Sequence, residues 1–136
     1  MRTAVRSNEN PALEVAAEWA RKLDLPLLVY HGLSQRYRYA SDRHHTFILQ
    51  GAAEMQAACA QRNISYAFHL ETPEDPNLRL VELAHRAAVV VTEDMPVNPP
   101  ARFFFALQKQ TKTPIVGVDT ACVVAPQLIG KVYTRA

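Results

Sequence analysis

Residues 10–32, NPALEVAAEWARKLDLPLLVYHG, change character halfway along. Asn10 can cap a helix, and Pro11 suits its first position, where the missing N–H costs nothing. Ala12, Val15, Ala16, Trp19 and Leu23 then share one face at helical spacing. From Leu25 that period gives way to a short apolar run ended by Gly32, the pattern of a strand buried on both faces. A helix passing so directly into such a strand is a building unit of an α/β fold.

The rest of the chain repeats the unit. YAFHL (66–70), AAVVVTED (87–94) and PIVGVD (114–119) have the strand character, and helical patterns lie near 41–62, 76–87 and 98–111. Strands separated by helices require right-handed crossovers and parallel pairing. The spacing therefore predicts a doubly wound parallel sheet flanked by helices on both faces, with strands near 26–31, 65–70, 88–92 and 114–118. One irregularity stands at the start. The alternation opens on a helix, and only RTAV can precede it as a strand, although the first strand of a doubly wound sheet is normally central. That strand is then truncated, reduced to a stub in MRTAV, or supplied by a neighbouring molecule.

A chain of 136 residues with 49% hydrophobic content fits one domain over 1–136. A net charge of +2 does not by itself demand a nucleic-acid partner. Cys59 and Cys122 have no metal-ligand spacing and read as free, buried thiols in a reduced, cytoplasmic setting. MRTAVRSNENPAL has no apolar core of a signal peptide, and no run reaches membrane-spanning length, so no membrane partner is expected.

Candidate chemistry is sparse. In SDRHHTFILQG (41–51), Ser41 or Asp42 can cap a helix with a core stripe of Ile48, Ala52, Met55 and Cys59. His45 extends that stripe while His44 sits about 100° away, so the pair cannot chelate one metal as histidines at i and i+4 can. The four glycines, at 32, 51, 117 and 130, form no phosphate-binding loop, and there is no G-x-S-x-G elbow. Glu93 and Asp94 close a strand, and ligands of open α/β sheets bind at strand carboxyl ends. A solvated loop ahead of a helix capped by Asn98 is the alternative. By the same strand-end geometry His31, Arg36 and Met95 join Glu93 and Asp94 as candidate binding residues. QRYRYASDR interleaves Arg36, Arg38 and Arg43 with Tyr37 and Tyr39, which could stack on bases or a planar ligand, or simply form a solvated loop. Phe103, Phe104 and Phe105 span about 200° of helix surface, so at least one ring should leave the core and face another domain or subunit.

Together these segments resemble the N-terminal α/β domain of the DNA photolyase and cryptochrome family, with class II photolyases and related bacterial photolyase-like proteins nearest. RSNENPALEVA is similar to the family's D-N-x-A-L turn and helix through Asn10, Ala12 and Leu13, with Glu9 in place of the aspartate. SDRHHTFILQG resembles R-H-x-x-F-x-L-x-G through Arg43, His44, Phe47, Leu49 and Gly51. VVVTEDMP resembles V-V-T-D-F-S-P through Thr92 and Asp94, with Pro96 shifted by one. VDTACVVAP is similar to V-D-A-H-N-V-V-P through Val118, Asp119, Val123 and Val124, with Pro126 one residue late. KVYTRA is similar to Y-S-A-R-T, one residue short, at Tyr133 and Arg135.

The resemblance implies a Rossmann-like antenna domain that holds a light-harvesting pigment, an 8-hydroxy-5-deazaflavin or a methenyltetrahydrofolate, and passes excitation to a flavin. It implies that FAD, the tryptophan electron-transfer chain and the groove for UV-damaged DNA belong to a helical domain outside these residues. The whole protein would then repair cyclobutane pyrimidine dimers with light, and this portion alone would not be catalytic. Of the strand-end candidates, only Asp94 is also placed by a family motif. The exposed edges of an incomplete sheet and the phenylalanine surplus lead to an expected homodimer. A free-standing small-ligand or nucleotide binder, of the universal stress protein type, is the competing expectation.

Overall fold

The structure is a computed structural model that describes residues 1–128, apart from 2, 35–39, 76–78, 96, 98–99, 123 and 125–127. Among the described residues four helices and four strands alternate: α1 Pro11–Leu23, β1 Leu28–Leu33, α2 Asp42–Gln61, β2 Ser65–Leu70, α3 Leu80–Arg86, β3 Val90–Glu93, α4 Pro100–Gln110 and β4 Ile115–Val118. All observed pairing is parallel, as the alternation requires. β1 pairs with β2 from Leu28↔Ser65 to Leu33↔Leu70, and β3 pairs with β4 from Val90↔Ile115 to Glu93↔Val118. The fold is α/β and Rossmann-like, but the four strands lie in two two-stranded sheets. The two halves meet at the amino-terminal segment. Met1 N donates to Tyr30 O of β1 at 2.7 Å, and Thr3 N and Ala4 N donate to the Glu93 carboxylate that ends β3. Thr3 and Ala4 are thus held at the end of β3, without strand pairing among the described residues.

Local sequence accounts for the helix ends. Asn10 Oδ1 accepts from Leu13 N at 3.1 Å, Pro11 takes the first turn, and Asp24 ends α1 at φ 52° in the left-handed region. Ser41 caps α2 through His44 N. The α2 stripe packs on β2, with Ala52, Met55 and Cys59 buried; His45 is half-buried and His44 exposed. α1 covers β3 and β4.

Three expectations need correction. Leu13 is the buried residue of α1, whereas Trp19 and Leu23 are about two-fifths exposed, because a helix of 13 residues is longer than the four-residue strands β3 and β4 on which it packs. The strands are not buried on both faces. β1 alternates, with Val29, His31 and Leu33 buried, Tyr30 and Gly32 half-buried and Leu28 exposed, so its deeply buried residues share one face. Cys59 is buried, but Cys122 is exposed, since it lies in the turn after β4. The expected Asn98 cap lies outside the described residues. The phenylalanine surplus is real: Phe103 and Phe105 are more than half exposed, and Phe104 lies edge-on to Phe105 and beside Gly117.

Candidate functional site

Residues 3–10 turn from the ends of β3 and β4 into α1, and side chains fix their course. The Glu93 carboxylate is buried and also accepts from the Thr3 hydroxyl. Asn10 is 2% exposed and does more than cap: its Nδ2 donates to Ala4 O at 3.0 Å and Arg6 O at 2.9 Å. Arg6 Nη2 donates to Thr120 O, just beyond β4, and its Nε to Glu9 O. Between this segment and α2 lies an open cleft of about 310 Å³, lined by Val5, Arg6, Ser7, Asn8, Gly51, Glu54, Met55 and Ala58. Since Ala4 is bound to Glu93 and Arg6 to Thr120, the cleft opens beside the carboxyl ends of β3 and β4. Its lining mixes apolar surface from Val5, Met55 and Ala58 with the polar groups of Arg6, Ser7, Asn8 and Glu54. A volume of this size is at the low end of small-molecule sites, which run from about 300 to 1,000 Å³.

The expected site residues gather around this segment rather than in the cleft lining. His31 is 3% exposed on the β1 face that also carries Val29 and Leu33. Its Nδ1 bonds the Tyr66 hydroxyl at 2.8 Å and its ring lies edge-on to Phe68. Burial pushes the His31 imidazole below its ordinary value, the amino terminus pushes it further, and Glu93 opposes them. Burial pushes the Tyr66 phenol up to about 12. Met95 Sδ lies 3.4 Å from the Thr3 hydroxyl oxygen. Asp94 follows β3, its N–H donating to Val118 O at 2.8 Å. Arg36 and its neighbouring tyrosines lie outside the described residues. Glu93 and Met95 therefore meet at Thr3, and His31 feels both Glu93 and the amino terminus, while the cleft is lined by the residues that follow, Val5 to Asn8.

Sequence reasoning missed the cleft lining. Val5 to Asn8 were legible only as the turn before α1, and Gly51 to Ala58 only as helix. It also missed a second polar cluster on the opposite face of β1. There Tyr30 Oη accepts from Arg79 N at 3.0 Å and meets His69 Nδ1 at 3.3 Å; His69 Nε2 lies 3.3 Å from Asp75, which Arg79 grips with two contacts of 3.1 Å. These groups satisfy one another and tie the segment after β2 to β1. No group of three metal-ligating side chains occurs among the described residues, and no described helix is long and apolar enough to cross a membrane.

The profile of the DNA photolyase family matches residues 1–132. A deoxyribodipyrimidine photo-lyase of Methanothermobacter thermautotrophicus is 34% identical over 93 residues, which are 68% of this chain and 20% of that protein. The match thus spans about a fifth of that relative's length. Among solved structures, a universal stress protein of Archaeoglobus fulgidus aligns with a TM-score of 0.54 at 18% identity, covering 87% of this chain and 95% of that one. The structure of the universal stress protein from the same organism in complex with dAMP aligns at 0.50 and 14% identity, covering 87% and 94%. At such identities the likeness is one of fold.

Proposed function

The chain belongs to the DNA photolyase family, and from that premise we propose that residues 1–136 are the light-harvesting α/β domain of a photolyase-like protein. The observation that carries this is the family match over 1–132, which takes in the segment and helix forming the cleft. A planar pigment, 8-hydroxy-5-deazaflavin or methenyltetrahydrofolate, sits in the cleft and absorbs light. The lining suits one ring system: Val5, Met55 and Ala58 offer apolar contact, and Arg6, Ser7, Asn8 and Glu54 offer polar groups at the rim. Glu93 and Met95 hold the root of the wall at Thr3, and His31, Asp94 and Arg36 complete the set of binding residues expected from the sequence.

FAD, the UV-damaged DNA and the light-driven repair of pyrimidine dimers belong to a further helical domain, so this domain by itself is not catalytic. The protein works in the cytoplasm, and a second copy pairs with it through the exposed rings of α4. The alternative, a nucleotide binder of the universal stress protein type, has fold likeness behind it but no glycine-rich phosphate loop.

Titration of the chain with each pigment, followed by fluorescence, and with AMP, followed by calorimetry, separates the two. Micromolar binding of one pigment and none of AMP is expected. AMP binding without either pigment would replace the light-harvesting reading with the nucleotide one.

A further inference from the structure

One wall of the cleft is made by Val5 to Asn8, a segment with no strand pairing among the described residues. The other wall is α2 from Gly51 to Ala58. Arg62, the C-cap residue of α2, lies one helical turn beyond Ala58. From there its guanidinium reaches across, Nη1 donating to Ser7 O and Nη2 to Asn8 Oδ1, both at 2.5 Å. The same side chain therefore springs from the helix that forms one wall and holds the other.

We propose that Arg62 is a positioning residue for the cleft: it latches the tip of the 5–8 wall onto α2, while Glu93 anchors the root at Thr3 and Ala4, and neither touches the ligand. The inference rests on the pigment reading of the cleft. The planar guanidinium presents two donors in a fixed fork, so it sets both the distance and the angle between the walls. A lysine offers a single point of attachment and can hold either Ser7 O or Asn8 Oδ1 in place, but not both in the same geometry. Ser7 and Asn8 line the cleft with Glu54, Met55 and Ala58 of α2, and Arg62 bridges their wall to that helix. At the root, the two amides and the hydroxyl that Glu93 accepts leave the segment little freedom to slide.

The test compares the wild-type chain with Arg62→Met, which keeps the stem and the helix propensity, with Arg62→Lys, and with Arg62→Met in a Glu93→Gln background. Two quantities are measured: backbone ¹⁵N order parameters without ligand, and the dissociation constant for 8-hydroxy-5-deazaflavin and methenyltetrahydrofolate. In Arg62→Met the order parameters of residues 6–8 should fall from about 0.85 to below about 0.6, with those of α2 and β2 unchanged. Affinity for the bound pigment should fall about tenfold, the loss of a charge-assisted pair of hydrogen bonds. Arg62→Lys should restore part of both, and the Glu93→Gln background should shrink the effect, because both side chains act through one wall. Unchanged order parameters overturn the latch, as does a loosened wall with undiminished pigment affinity. If the wild-type chain binds neither pigment, the pigment reading fails, and the order parameters alone still decide whether Arg62 fixes the wall.

Discussion

β1 and β2 share a six-residue register and β3 and β4 a four-residue one, whereas β1 and β3 are joined by no ladder among the described residues. Each half-sheet is held by evenly repeated backbone bonds, and each has its own cover, α2 over β2 and α1 over β3 and β4. Between them the work passes to individual side chains: Glu93 on Thr3 and Ala4, Asn10 on Ala4 and Arg6, Arg62 on Ser7 and Asn8. A ladder tolerates the loss of one member because its neighbours remain. A side-chain clamp has no such redundancy, so single substitutions should hurt the joint more than the halves.

The sharpest way to break that contrast is Asn10→Asp. The carboxylate still accepts from Leu13 N, but both donors are lost and a buried charge faces Ala4 O and Arg6 O. Urea unfolding should show a loss of about 3 kcal/mol; a loss below about 1 kcal/mol would mean the joint is not held as described. Gly117→Ala probes the β3–β4 half. Its new methyl would stand 3.1 Å from Asp94 Cβ and 3.1 Å from the Phe104 ring. The ring can shift and Asp94 Cβ cannot shift freely, so about 1.5 kcal/mol of overpacking is expected in the same assay.

His31 offers a finer test on the β1–β2 half, through pH. Its imidazole is held below the ordinary value of 6.5, chiefly by burial, so the folded protein prefers the neutral ring. The unfolded chain then binds more protons between the two values, and stability present above pH 6.5 is lost as pH falls through 6.5 toward the folded value. The groups facing His31 are Tyr66, the amino terminus and Glu93. His31→Gln should flatten the slope of stability between pH 7 and 5, as read by thermal unfolding at each pH; a slope identical to wild type would contradict the assignment. The smallest effect on stability belongs to Phe103→Ser. That ring is 57% exposed, so unfolding should change by less than about 0.5 kcal/mol. Sedimentation equilibrium should nonetheless shift from twice the chain mass toward the monomer, and a wild-type monomer at hundreds of micromolar would dismiss the pairing of α4 faces.

What could be read in the chain follows the same division. Ladders and caps leave local signatures: the apolar runs gave β1 to β4 within two residues or so, and Asn10, Pro11 and Ser41 marked helix starts. The α2 stripe was legible because Ala52, Met55 and Cys59 repeat at helical spacing. The joint was not legible, since contacts from Arg62 to Ser7 and from Thr3 to Glu93 span 55 and 90 residues and carry no period. Glu93 was singled out for standing at a strand end, but its burial and its grip on the amino-terminal segment depend on that long-range contact. The exposure of Trp19 and Leu23 escaped for a related reason: helical periodicity shows which face is apolar, not how much sheet lies under it.

The central claim is that a family pigment occupies the cleft between residues 5–8 and α2. Ala58→Trp tests it most directly, because an indole at a lining position fills the cleft while α2 keeps its buried stripe of Ala52, Met55 and Cys59. Fluorescence titration with 8-hydroxy-5-deazaflavin and methenyltetrahydrofolate should show micromolar binding of one of them by the wild-type chain. Ala58→Trp should weaken it by about thirtyfold or more, a loss of roughly 2 kcal/mol. Undiminished binding by Ala58→Trp would place the pigment elsewhere and contradict the account.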